Sequence, residues 1–369
     1  MTLKVFLYGG AMTLNAFNAA GRPYSNVWHS TGYIGGTVLD YIYKARPDYA
    51  YSIYVRNEER AKPIKDKYPK VDFVYGSLED SETLLHAVAE TDVVIHTADS
   101  SDNVPGAAAI AMGLERGHTP EKPGYWIHLC GTSILTWYDQ KHGREGEPPL
   151  PEQTYRDIDD VERLVTLPDY AHHRNVDILV QETISDAVKV AIICPPTIYG
   201  KGSGPVNTRS IQVPELVRTT LKEGYAPLVG KGETEWDNVH VDDLANLFGR
   251  LLDATQDPKK SKNPEIFGLH GYFFASNGVH RWSDVSQWIL DEAAEQGYQS
   301  GATTKTVTLK EAESIAGATA RSFGRNSKGI PQRAEKYLGW KAQGADLKST
   351  IAATVADEAK TLGLKANKA

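Results

Sequence analysis

The chain has 369 residues, 41% of them hydrophobic, and a formal net charge of −7. That is enough apolar material for one large domain or a main domain with a smaller lobe, and a mildly acidic chain without a basic block is poorly suited to nucleic acid. No apolar run reaches the roughly 20 residues that span a bilayer, and the start Met1-Thr2-Leu3-Lys4 lacks a signal-peptide layout, so the expectation is a soluble cytoplasmic protein. The cysteines, Cys130 and Cys194, both lie in apolar strand-like segments, which fits buried thiols and no disulfide framework.

Strand and helix patterns alternate through the first 200 residues. Lys4–Tyr8 reads as a strand and Gly32–Tyr43 as a helix. Tyr51–Arg56 follows as a strand, then the charged helix Asn57–Tyr68, then the strand Val71–Tyr75. Ser81 with Glu82 opens a capped helix running to Ala89, and Asp92–Ala98, Tyr125–Cys130 and Val188–Cys194 complete the strands. Strands that alternate with helices imply βαβ units, because parallel strands need a crossover. Nearly continuous apolar strands imply a sheet covered on both faces. The expected fold is therefore α/β, a Rossmann-type doubly wound parallel sheet over residues 1–200. A smaller C-terminal α/β substrate lobe is expected over residues 201–369, with helices near Val213–Glu223, Val241–Ala254, Ser283–Glu295 and Leu347–Leu362.

The most informative motif is broken in two. Strand one ends in Gly9-Gly10-Ala11, and a glycine-rich helix start, Thr31-Gly32-Tyr33-Ile34-Gly35-Gly36, follows only after residues 12–30. Joined, Gly10, Ala11, Thr31, Gly32, Tyr33, Ile34 and Gly35 form a G-x-x-G-x-x-G fingerprint directly after a strand. Such glycines let the backbone approach a pyrophosphate, and the helix start supplies amide donors. Residues 12–30 are either a surface excursion that leaves the ends of the turn together, or a gene-model artefact such as a retained intron. At the end of strand two an acidic residue would suit NAD. Here Arg56 stands, with Arg60 one turn on, which favours NADP over NAD.

With these residues in order the chain resembles the atypical or extended short-chain dehydrogenases/reductases, the NAD-dependent epimerase/dehydratase group. The resemblance is carried by the split glycine motif, by Val94-Ile95-His96-Thr97-Ala98 and by Gly131-Thr132-Ser133. It continues through Pro195-Pro196-Thr197-Ile198-Tyr199-Gly200, Val239-His240-Val241-Asp242-Asp243-Leu244 and Leu338-Gly339-Trp340. It implies an NAD(P)-dependent oxidoreductase or epimerase acting on an aldehyde, a ketone or a nucleotide sugar. The cofactor would lie across strands one and four, against Thr97 and Ala98, with its nicotinamide near Ser133 and Pro195. A small molecule is the expected partner, a homodimer an admissible assembly, and neither nucleic acid, membrane nor metal is expected.

The resemblance also implies a serine that positions the substrate oxygen, a tyrosine acid/base, and a lysine four residues on that favours the phenolate. Ser133 fits the serine. Of the 19 tyrosines only Tyr337 has a lysine four residues later, in the wrong part of the chain. The substitutes are Tyr170 followed by Arg174, His173 followed by Asp177, or Tyr155 followed by Asp159. The missing pair also leaves open a catalytically inactive NAD(P)-binding regulator or scaffold. His172 and His173 are adjacent, so on a helix they would point apart and make a poor metal pair. Asp242 and Asp243 read as caps of the helix they open.

Overall fold

The computed structural model describes residues 2–9 and 32–366. Its centre is a seven-stranded sheet of β1 (Lys4–Tyr8), β2 (Ala50–Val55), β3 (Asp72–Tyr75), β4 (Val93–His96), β5 (Gly124–Leu129), β6 (Val188–Cys194) and β7 (Tyr272–Phe274). The order across the sheet is β7-β6-β5-β4-β1-β2-β3, and every neighbouring pair is parallel. The order reverses between β1 and β4, so a crevice opens there beyond the carboxyl ends of the strands.

Helices cover both faces, as the apolar strands require. On one face α1 (Tyr33–Ala45) and the later helix Val241–Gln256 enclose Val5, Leu7, Ile95, Ile127 and Ile193. On the other, α3 (Ser81–Ala89), α4 (Val104–Gly117) and the helix Arg174–Glu182 enclose Phe6, Val94, Trp126 and Val190. On the first face α2 (Glu58–Lys67) adds Ala61 and Ile64 and starts at Asn57, whose side chain accepts from the Arg60 N–H. α4 has no counterpart in the sequence reading. Its VPGAAAIAMGLERG is rich in small residues, so no strong apolar stripe marks it; Asn103, which accepts from the Gly106 N–H, and the following Pro105 define its start.

A third apolar cluster lies in the C-terminal part. It is built on Leu216, Trp282, Ile289, Phe323 and Val355 of the helices Gln212–Glu223, Trp282–Glu295, Ala320–Gly324 and Ile351–Thr361. Residues after 200 also return to the central sheet, since β7 pairs with β6 and the helix Val241–Gln256 packs against α1. His240 caps that helix by accepting from the Asp242 N–H. Asp243 instead accepts from the Gln343 and Gly344 N–H groups, and its carbonyl accepts from Trp340 Nε1, which ties the LGW segment and the turn after it to this helix. No helix among the described residues is long and apolar enough to cross a membrane.

Candidate active site

The two ends of the split glycine motif meet in space. A Cβ placed on Gly9, just past β1, would lie 3.9 Å from Gly35 Cα, and one placed on Gly35 would lie 3.5 Å from Gly9 Cα and 2.7 Å from Thr97 Oγ1. Only glycines permit so close a strand–helix approach. α1 starts at Gly32 with no side-chain cap and no acidic residue in its first turn, which leaves its amino end open to an anion. Thr97 Oγ1 is buried in the same crook without a hydrogen-bond partner among the described residues. A backbone cradle, an uncapped helix start and an unsatisfied hydroxyl fit a dinucleotide. Gly10, Ala11, Thr31 and residues 12–30 lie outside the described residues.

Tyr33 and Ile34 form the first turn of α1, just before Gly35. The Tyr33 hydroxyl donates to the Tyr199 and Gly200 carbonyls, holding the loop after β6 against α1, and Ile34 packs on the apolar core. Ala98 is fully buried at the end of β4. Arg56 is exposed where β2 ends. Pro195 follows β6 and its carbonyl accepts from the Thr132 N–H, which ties the turn after β6 to the turn that carries Ser133.

Beyond β4, β5 and the loop before the helix Arg174–Glu182, three side chains converge. Ser133 Oγ lies 2.5 Å from His173 Nε2, and His173 Nδ1 lies 2.8 Å from Asp102 Oδ1. Each is placed by local structure. Ser133 sits in the 3-10 turn Thr132–Thr136 directly after β5. Asp102 lies in the turn from β4 to α4, where the Asp102 and Asn103 N–H groups both donate to the Asp99 carbonyl. His173 is the N-cap of its helix and has a left-handed φ of 70°. That conformation is uncommon for a residue with a Cβ and persists only when its surroundings fix it. The next residue, Arg174, anchors the helix start by donating to the Leu167 and Val165 carbonyls and to Gln181 Oε1.

The carboxylate at Nδ1 selects the tautomer with its proton there and turns the Nε2 lone pair toward the serine hydroxyl. Burial by itself would raise the Asp102 carboxyl, but the His173 hydrogen bond and imidazole charge hold it below the usual carboxylate range. Asp102 and His172 face solvent, while the His173 ring is covered.

The adjacent histidines do not diverge as a helical pair would. The left-handed turn at His173 brings the rings to 3.8 Å between centroids, and His172 Nδ1 lies 3.3 Å from Ser133 Oγ. Asp102, His172 and His173 each offer a metal-ligand atom within 4.8 Å of the others. A cation there would compete with the His173–Asp102 hydrogen bond already formed.

Two family models match the sequence: NAD(P)H-binding over residues 30–119, and the NAD-dependent epimerase/dehydratase family over residues 148–267. The first takes up just before the glycine-rich start of α1. Among relatives, a protein named oxidase ucsJ from Acremonium is 34% identical over 342 residues, spanning 91% of this chain and 97% of its own. The chain belongs to the NAD-dependent epimerase/dehydratase family. Solved structures agree on the fold of this extended short-chain dehydrogenase/reductase. A dTDP-glucose 4,6-dehydratase of Streptomyces venezuelae, described with NAD bound, superimposes with a TM-score of 0.61 at 15% identity, covering 98% of this chain and 97% of that one. A UDP-glucose 4-epimerase of Thermotoga maritima, described with UDP-glucose, gives 0.58 at 14% identity, covering 98% and 100%.

Within this epimerase/dehydratase-family chain, the structure brings Ser133 and His173 together and gives the other acid/base candidates other partners. Tyr170 is 54% exposed, edge-on to Trp137 and beneath Lys141. Arg174 spends its hydrogen bonds on backbone and Gln181, so it does not act as the cation beside a tyrosine. Tyr155 is buried in the apolar cluster beneath the sheet face that α3 and α4 cover, accepting from Trp137 Nε1 and covered by Arg163. Asp177, four residues after His173, is buried and accepts from the Tyr272 hydroxyl. Asp102 escaped the sequence reading because nothing local distinguishes it from the acidic, serine-rich turn around it; the cap signal of Asn103-Val104-Pro105 fixes where that turn ends.

Proposed function

We propose that the protein is an NAD(P)-dependent oxidoreductase acting on a carbonyl or alcohol carbon, with His173 as the acid/base in place of a tyrosine. The observation that carries the reading is the Ser133–His173–Asp102 hydrogen-bond chain, with Asp102 in the turn after β4 and Ser133 in the turn after β5, while the Gly9–Gly35 crook closes on Thr97 just past β4. Gly9, Gly35 and Thr97 would hold the dinucleotide, whose nicotinamide would supply hydride exchange with the substrate carbon. Ser133 orients the substrate oxygen. His173 Nε2 takes the hydroxyl proton in oxidation and returns it in reduction, and Asp102 keeps the ring in the tautomer that can do so. Aldehydes, ketones and nucleotide sugars are the substrate classes the family supports. A sugar-nucleotide substrate is the narrower form of the proposal.

The cofactor preference proposed is NADP, because the exposed Arg56 guanidinium suits the added 2′-phosphate. Isothermal titration with NADPH and NADH tests this directly. NADPH binds more tightly to the parent, and Arg56→Ala removes about tenfold of that preference, as expected for one charge-assisted phosphate contact. Equal affinity for both cofactors in the parent contradicts the preference, and binding of neither contradicts the reading as a whole.

A further inference from the structure

We propose that Ser133, His173 and Asp102 also act as a nucleophilic relay, giving the protein an acyl-transfer activity toward small esters that needs no dinucleotide. Alcohol oxidation requires only that one group accept a proton from the substrate. The arrangement present does more. Ser133 Oγ is 2.5 Å from His173 Nε2, and Asp102 lies 2.8 Å from the opposite ring nitrogen, in the order nucleophile, base and orienting carboxylate. A serine hydroxyl is a weak nucleophile until a neighbouring base relieves it of its proton, and this geometry provides that base in the correct tautomer.

The surroundings are compatible with attack. Ser133 is partly exposed and His172 and Asp102 face solvent, so an ester can reach Oγ. Gly131 leaves room beside the pair: a Cβ there would already touch His173 Nε2 at 3.5 Å and Ser133 Oγ at 3.6 Å.

The chemistry closes without a redox partner. Ser133 Oγ bonds to the carbonyl carbon while its proton passes to His173 Nε2, and the carbonyl π pair moves to oxygen. That pair returns, the bond to the alkoxide breaks, and Nε2 protonates the alkoxide as it leaves. Water then attacks the acyl-serine with Nε2 again as base, releasing a carboxylic acid and restoring the hydroxyl.

The test uses the full-length protein without NAD(P), with p-nitrophenyl acetate as substrate and a fluorophosphonate as covalent probe. The expected result is one fluorophosphonate adduct mapped to Ser133 by peptide mass spectrometry, and ester hydrolysis about 100-fold slower in Ser133→Ala and His173→Ala. Asp102→Asn slows hydrolysis and shifts its pH profile. Thermal melting verifies that each variant is folded. Should Ser133→Ala prove unstable, Ser133→Cys serves instead, since alkylation of its thiol by iodoacetamide becomes slow when His173→Ala is added; Cys130 and Cys194 are buried. An adduct at another residue, no adduct, or hydrolysis unchanged in Ser133→Ala overturns the proposal. None of these results touches the dinucleotide-dependent reading, which fails only in cofactor titrations and redox assays.

Discussion

At the scale of single residues, the fold keeps several imidazoles neutral. His96 and His128 face one another from β4 and β5 at 3.2 Å between Nδ1 atoms, both fully buried. Burial pushes His96 down to about 3, and burial with the neighbouring imidazoles pushes His128 well below its ordinary value. A buried neutral histidine binds its proton in the unfolded chain first. Its stabilising contribution is therefore complete above pH of about 6.5 and falls as the pH drops from there toward 3. Two buried carboxyls work in the opposite sense. Desolvation raises Asp157 to about 6 and Asp237 to about 7, and each favours the fold as it takes up its proton. The histidine contribution is isolated by difference: urea denaturation between pH 7 and 4 gives a shallower loss of stability for His96→Asn than for the parent. Equal slopes would show that His96 is not held neutral.

At the scale of elements, the nucleotide crook depends on one contact between a strand end and a helix start. A Cβ on Gly35 would lie 2.7 Å from Thr97 Oγ1, closer than a carbon can sit, so α1 must shift away from β1. Gly35→Val is expected to cost about 1–3 kcal/mol in denaturant unfolding and to weaken dinucleotide binding at least tenfold by titration. Unchanged affinity would place the cofactor elsewhere. Elements were also where the sequence was most legible. Val188–Cys194 matches its expected bounds, and most other strands and helices fall within two residues, because continuous apolar runs and caps such as Asn57 mark them physically. α4 and β7 were not visible. One lacks a strong apolar stripe, and the other is three residues whose strand character comes from pairing with β6.

Across the whole molecule, the C-terminal residues lock the sheet edge and the site together. Asp157 accepts from the N–H groups of Phe274 in β7 and of Gln332 and Arg333, and the fully buried Arg333 guanidinium donates to the Asp157 carbonyl and to Glu265. Ser327 Oγ donates to the Thr132 carbonyl, next to the site serine. Arg333→Ala removes a buried cation with several acceptors and is expected to cost about 3–5 kcal/mol in urea unfolding; a loss below 1 kcal/mol would show that the lobe is not held this way. Long-range ties of this kind explain what the sequence could not show of the site. Ser133 and His173 were both recognisable as candidates, but their pairing is a contact across 40 positions and Asp102 joins from 71 positions away. The left-handed turn that makes His172 and His173 converge has no signature in local periodicity.

The assignment of acid/base chemistry to His173 is open to one direct comparison. NADPH oxidation is followed across a panel of aldehydes, ketones and nucleotide sugars with the parent, His173→Asn and Tyr170→Phe, with NADPH affinity titrated for each. The expected result is parent turnover with at least one class, a fall in kcat of about 100-fold or more in His173→Asn at unchanged NADPH affinity, and little change in Tyr170→Phe. Full activity in His173→Asn, or loss of activity in Tyr170→Phe instead, would contradict it.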